Sequence, residues 1–286
     1  MSWTNYHSHS NYCDGKDQLE AHVESALGQL KVFGFSSHCP VPFDNTWSMK
    51  LEKLSTYLEE TKALKNKYSD RIELYRGLEV DYIPELVGPS SDYIKNANLD
   101  YTIGSIHYVD QFDNTKWEID GNHNFFLEGL EKIFDRDIQQ AIERYFELTR
   151  MMIEDDCPTV VGHIDKIKIQ SENGELFSED SKWYKDAFAE TLELVSKNEN
   201  LIVEVNTRGI YKKKCDSAYP GEWGLKRMYE LGIPVQINSD SHHPSDLTKA
   251  FSETASLLQE IGYKTVRVLK NNQWQDFKFD STGIHF

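Results

Sequence analysis

Nine residues of this 286-residue chain are of types that bind metal ions: His7, His9, Asp14, His38, Glu79, His107, His163, Asp240 and His242. The first two set the pattern. Tyr6-His7-Ser8-His9 follows a short run that reads as a strand, and in a strand residues i and i+2 point to one face. His7 and His9 therefore present two imidazoles side by side. Asp14, with the turn-former Gly15 behind it, adds an oxygen ligand. Six of the ten histidines belong to this set, and surface histidines scattered at random have no reason to follow strands. His22, on the apolar face of the first helix, reads instead as a packed helix residue.

Nine ligands exceed the need of one zinc, which takes about four. With carboxylates bridging, they would serve two or three divalent ions, and imidazole with carboxylate suits Zn, Mn or Fe. Clustered divalent ions bring the pKa of a bound water to near neutrality and neutralise the oxygens of a phosphate. A chain of formal charge −16 could accept a dianionic substrate in that way.

The elements that position these residues follow a regular order. Apolar, β-rich runs at 3–6, 32–37, 72–79, 100–106, 158–162, 201–205 and 234–238 read as seven strands. Helical periodicity fills most of the gaps, at 19–30, 49–67, 135–153, 180–197, 221–231 and 244–260. Asp17-x-x-Glu20 reads as a capping box for the first helix. The stretch 108–124, rich in Asp, Asn and Gly, reads as a functional loop or lid. The tail reads as a hairpin around Asn271-Asn272. Seven βα units imply a parallel sheet. Each strand ends on a candidate ligand or phosphate-binding residue. In an open doubly wound sheet ligands gather at one switch point, whereas in a barrel all strand ends share one mouth. The expectation is one domain, 1–286, folded as a closed or nearly closed α/β barrel of the TIM type.

Composition narrows the function classes. Lys and Arg number 31 against 47 Asp and Glu, which disfavours a polyphosphate partner, so no nucleic acid is expected. The four cysteines lack any Cys-x-x-Cys spacing and read as reduced thiols of a cytoplasmic protein. No apolar run approaches the length of a membrane span, and no signal peptide is read at the N-terminus.

His7-x-His9, His38, Glu79, His107, His163 and Asp240-x-His242 together resemble the motif set of the polymerase and histidinol phosphatase (PHP) superfamily, over essentially the whole chain. Local stretches are similar to its histidinol-phosphatase branch: Gly34-Phe35-Ser36-Ser37-His38, Gly104-Ser105-Ile106-His107-Tyr108, Val161 to Lys166 and Glu204 to Gly209. The resemblance implies a distorted (β/α)7 TIM-like barrel with a trinuclear metal centre. It implies one ion on His7, His9, Glu79 and Asp240, and a second on Glu79, His107 and His163. A third would lie on Asp14, His38 and His242, with Asp14 where many members carry His. It implies hydrolysis of a small-molecule monoester, L-histidinol phosphate, in histidine biosynthesis, by in-line attack of a metal-activated hydroxide.

Asp240 and His242 are near enough in sequence to assist proton transfer. Arg208 is the candidate for the phosphate, because a guanidinium grips two phosphate oxygens at once; the alternative is a surface pair with Glu204 or Asp216. Lys166 and Lys168 read as solvated. The leaving group carries an ammonium and an imidazole. Asp44, Asp110, Trp117, Glu118 and Asp120 are expected to rim the mouth, with Asp44 and the stretch from Trp117 to Asp120 as the contacts. Rival readings are a PHP enzyme acting on phosphotyrosine or on DNA ends, an amidohydrolase, and a silent metal-stabilised binding module. A nuclease would need a basic, aromatic groove. An amidohydrolase would need a bridging lysine at a strand end, where this chain has Glu79 and His107.

Overall fold

The computed structural model of the chain describes residues 2–171 and 174–286. In chain order the elements are β1 (Trp3–Asn5), α1 (Leu19–Ala26), β2 (Leu30–Phe35), α2 (Leu54–Lys67), β3 (Glu73–Asp81), α3 (Asp92–Lys95) and β4 (Tyr101–Ser105). Then come β5 (Tyr108–Phe112), β6 (Thr115–Glu118), α4 (His123–Phe134), α5 (Ile138–Asp155), β7 (Val160–Val161), α6 (Lys182–Val195) and β8 (Ile202–Asn206). The last part holds α7 (Arg208–Tyr211), α8 (Glu222–Glu230), β9 (Val235–Asn238), α9 (Phe251–Ile261), β10 (Thr265–Lys270), β11 (Gln273–Asp280) and β12 (Gly283–Ile284).

Seven strands form one parallel sheet in the order β1-β2-β3-β4-β7-β8-β9. The two outer strands nearly close it. Beyond their ends Ser8 bridges Ser241 in parallel, the His9 N–H donates to the Ser241 carbonyl at 2.8 Å, and Asn238 Oδ1 accepts the Tyr6 N–H at 2.9 Å. This is a nearly closed (β/α)7 barrel. Its strands are apolar because helices cover their outer faces: all five residues of β8 are buried. Inside the barrel Tyr101 reaches across, its hydroxyl 2.6 Å from the Tyr6 carbonyl and 2.8 Å from that of Phe35. Gly34 and Gly77 leave room for that ring, since a Cβ on either would approach it within 2.3 and 2.5 Å respectively. Outside, α5 turns Ala141, Ile142, Tyr145, Phe146, Leu148, Thr149, Met152 and Ile153 inward. Phe146 stacks on Phe188 of α6 at 5.1 Å.

The tail forms the expected hairpin. β10 and β11 pair antiparallel, Lys270 opposite Gln273, with Asn271 and Asn272 both at positive φ, as a two-residue hairpin turn demands. Four local expectations differ. The stretch 108–124 is mostly the hairpin β5–β6, turned at Asp113-Asn114, again both at positive φ. Asp17 does not cap α1; Gln18 holds that position without a side-chain cap. The helix expected over 49–67 opens with a 3-10 turn at Leu51–Lys53 ahead of α2, and Leu51 is exposed there. The segment 244–260 is broken: a 3-10 turn at Pro244–Asp246 is separated from α9 by Ala250 in the left-handed region. Among the described residues no helix is long and apolar enough to cross a membrane.

Candidate metal centre

The barrel topology brings all nine ligand-type residues to one mouth. His7 and His9 leave the end of β1, buried, with ring centroids 5.1 Å apart. His38 follows β2 and bridges to Glu79 inside β3. His107 follows β4, His163 follows β7, and Asp240 and His242 follow β9. Among the described residues three groups offer one ligand atom per residue with all atoms within 4.8 Å of one another: His7, His9 and Asp240; His38, Glu79 and His107; and His9, Asp14, His38 and His242. His163 joins through Glu79, its Nε2 2.9 Å from Oε1. The other oxygen of Glu79 faces His7 Nε2 at 3.1 Å, His38 Nδ1 at 3.0 Å and His9 Nε2 at 3.4 Å. One carboxylate thus looks towards two histidine sets, the geometry a bridging ligand needs.

The donor set fits divalent cations. His7 Nε2, His9 Nε2, His38 Nδ1 and Glu79 Oε2 are buried without a hydrogen-bond partner, and they converge. Buried polar atoms left so are costly. The field favours positive charge: burial alone would lower the pKa of His7, but Glu204, Glu79 and Asp240 outweigh it and raise it well above the ordinary value. Burial would raise Glu79, yet His7, His38 and His107 hold it well below the carboxylate range, so it is ionised. His9 is pushed well down by burial and by His242 and His38. Neutral imidazoles and ionised carboxylates are the ligating forms, so at His7 a bound cation would take the place of the proton that this field favours.

A second layer orients the ligands. Glu204 is fully buried; its oxygens accept from His7 Nδ1 at 2.8 Å, the His163 N–H at 2.8 Å, Asn206 Nδ2 at 3.0 Å and Asn238 Nδ2 at 3.1 Å. With the proton on Nδ1, His7 presents a free lone pair on Nε2 to the mouth. Asp81 does the same for His107 Nδ1 at 2.8 Å. Glu204→Gln puts an NH2 against one of these donors. Metal affinity, read by competition with a chromophoric chelator, should fall about 10–100-fold; unchanged affinity would refute this role for Glu204.

Asp240 has a φ of 51°, which costs a non-glycine residue about 1–3 kcal/mol. Arg208 and Tyr211 hold it, Nη1 donating to the Asp240 carbonyl at 2.7 Å and the Tyr211 hydroxyl reaching it at 3.2 Å. Arg208 Nη1 also stands 2.8 Å from His242 Nδ1, and the side chain pairs with neither Glu204 nor Asp216.

Over the ligands lies a cavity of about 280 Å3 walled by both signs of charge. Lys166, Arg208 and Lys214 supply the cations. Lys166 is not solvated: the 3-10 turn at Lys166–Gln170 folds it back under the mouth. Its Nζ lies 2.8 Å from Asp120, 3.3 Å from His107 Nε2 and 3.5 Å from His163 Nε2. Asp120 is therefore at the cavity, already paired. Lys168 is buried too but points away, 3.1 Å from Asp165 and 2.8 Å from the Ala218 carbonyl.

The other expected rim contacts divide. Trp117 is fully buried, stacked on Phe126 at 4.9 Å with its N–H on the Phe126 carbonyl, because the hairpin alternation turns it inward. It is core and forms no wall of the mouth. Asp44 is exposed, 3.4 Å from Lys50, and lines a neighbouring recess. Asp110 is exposed on β5 and lines neither cavity. Trp47, not among the expected contacts, stands edge-on to His38 at 4.5 Å and to His107 at 5.3 Å. Its only sequence signal is an aromatic in a polar loop. Divalent ions held by the nine ligands would supply a water ionised near neutral pH and charge to offset phosphate oxygens.

Comparison with known proteins places this architecture. The chain is 27% identical over 253 residues to the probable histidinol-phosphatase of Deinococcus radiodurans, covering 88% of each chain. It is 25% identical over 262 residues to the histidinol-phosphatase of Bacillus subtilis, covering 86% of this chain and 95% of that one. Its fold superposes with a TM-score of 0.72 on the histidinol phosphate phosphatase of Lactococcus lactis, solved with zinc, L-histidinol and phosphate, at 20% identity over 100% of this chain and 99% of that chain. The model of the PHP domain family matches residues 5–208, from β1 to Arg208, and the chain belongs to that family.

Proposed function

We propose that this protein is a histidinol-phosphatase, a metal-dependent monoester hydrolase that converts L-histidinol phosphate to L-histidinol and phosphate in histidine biosynthesis. The observation that carries the reading is the nine-ligand cluster directly beneath a cavity lined by Lys166, Arg208 and Lys214. Two to three divalent ions, Zn, Mn or Fe, fit its imidazole and carboxylate donors. Arg208 and Lys166 bind the phosphate oxygens. Asp240 and His242, facing the same cavity, move the proton that the leaving alkoxide takes up. The whole chain works as one catalytic unit in the cytoplasm, with a small-molecule partner and neither nucleic acid nor membrane. The relatives named above point to the same substrate. The rival monoester is phosphotyrosine, and phosphate release from the two, with and without chelator, decides between them.

A further inference from the structure

Beside the metal cavity lies a second recess of about 450 Å3, and the two share one wall made of Trp47 and Glu118. Its other walls carry the rings of Phe43, Tyr108 and Phe125 between polar residues, among them Asp44, Asn45 and Lys116. Trp47 stacks on Tyr108 at 5.5 Å and 18°, and Phe43 meets Tyr108 edge-on at 5.3 Å. A recess bordered by aromatic rings suits a flat ring and a cation.

Glu118 stands out chemically. Asp120, Asp240, Glu79 and Asp14 around the metal cavity each have a lysine or histidine within ion-pair distance. Glu118, partly buried at the shared wall, has no ion pair with any described residue; the Trp47 N–H and His107 are the neighbours that favour its charged form. Burial and the neighbouring Asp120 push its pKa up, the mark of a carboxylate short of positive charge. Lys116 does not supply it: its ammonium stands over the Phe43 ring. Trp47 and Glu118 line the metal cavity together with Arg208 and Lys166, so a phosphate bound there would have this wall beside it.

We infer that Glu118, oriented by Trp47, is the acceptor for the ammonium group of the substrate, and that the aromatic recess beyond it receives the flat ring of the same leaving group. This rests on the proposed substrate and adds the residue that selects it. Glu118 is a specificity residue: it binds a part of the substrate that does not react.

The test compares L-histidinol phosphate with its deamino analogue, identical but for hydrogen in place of the amine. The wild type should favour the amine substrate by about 30-fold in kcat/KM, the worth of a hydrogen bond to a charged group. In Glu118→Gln that ratio should fall to within about threefold of unity, through loss on the amine substrate. Trp47→Phe, which keeps the ring and removes the N–H, should lower the ratio by a smaller factor. The analogue also reports folding, since a misfolded variant loses both activities together. A ratio unchanged in Glu118→Gln overturns the inference, whether both rates fall or neither does. A wild type indifferent to the amine overturns it as well. Failure of the proposed function would show differently, as no preference for L-histidinol phosphate over phosphotyrosine.

Discussion

Glu79→Gln is expected to cost about 10³-fold or more in kcat/KM, roughly 4 kcal/mol of transition-state stabilisation. The side chain is isosteric, so packing in β3 is retained. What changes is charge and donor sense at the centre of the cluster. One oxygen faces His163 and Ser105, the other His7, His9 and His38. An amide turns an NH2 towards one of these sets, repels a cation there and removes the negative charge two ions would share. The purified variant should carry at least one ion fewer per chain than the wild type. Thermal unfolding separates this from misfolding. With excess chelator, wild type and variant should melt within a few degrees of each other. With saturating metal, only the wild type should gain fully, by about 4 kcal/mol at a thousandfold excess over Kd. Full metal content and full activity in Glu79→Gln would remove Glu79 from the centre.

Arg208→Met should lower kcat/KM by about 10²–10³-fold while metal content stays at the wild-type level. The guanidinium already holds the strained Asp240 backbone and lines the cavity. It is the one cation there that can offer two parallel N–H donors to a phosphate. Arg208→Lys should recover only a small part, because an ammonium on a flexible stem cannot reproduce the fork. Inhibition by inorganic phosphate should weaken in parallel. A loss of metal equal to the loss of rate would mean that Arg208 acts only through Asp240 and His242 and not on the phosphate. The measurement is metal analysis beside steady-state kinetics on the same preparation.

The ligands were legible because a parallel barrel sends every strand end to one mouth, so that His38, Glu79, His107 and His163, far apart in sequence, must meet. Their second layer was harder to read. Glu204 sits in an apolar strand, and only the register of β8 against its neighbours turns it towards His7. Lys166 follows a strand-ending histidine like any solvated loop lysine, and the 3-10 turn that buries it has no strong signature. Trp117 did have one: in Lys116-Trp117-Glu118 the alternation of a two-residue period puts the indole inside and the carboxylate out. Reading that stretch as a loop hid the period and sent Trp117 to the rim. Most of α4 fell in 125–134, a stretch left unassigned between that loop and the next helix, though Asn122 caps it and Phe126 and Leu130 mark its buried face. The positive φ of Asp240 leaves no trace in sequence, because the local preference of an aspartate does not predict it.

The most direct test of the account is phosphate release by metal-analysed protein from L-histidinol phosphate, phosphotyrosine and phenyl phosphate, each with and without chelator. The account predicts a preference for L-histidinol phosphate of at least about a hundredfold in kcat/KM, worth roughly 2.7 kcal/mol, with all activity lost on chelation and regained with Zn, Mn or Fe. Equal rates on the three substrates, or release that survives removal of the ions, would contradict it.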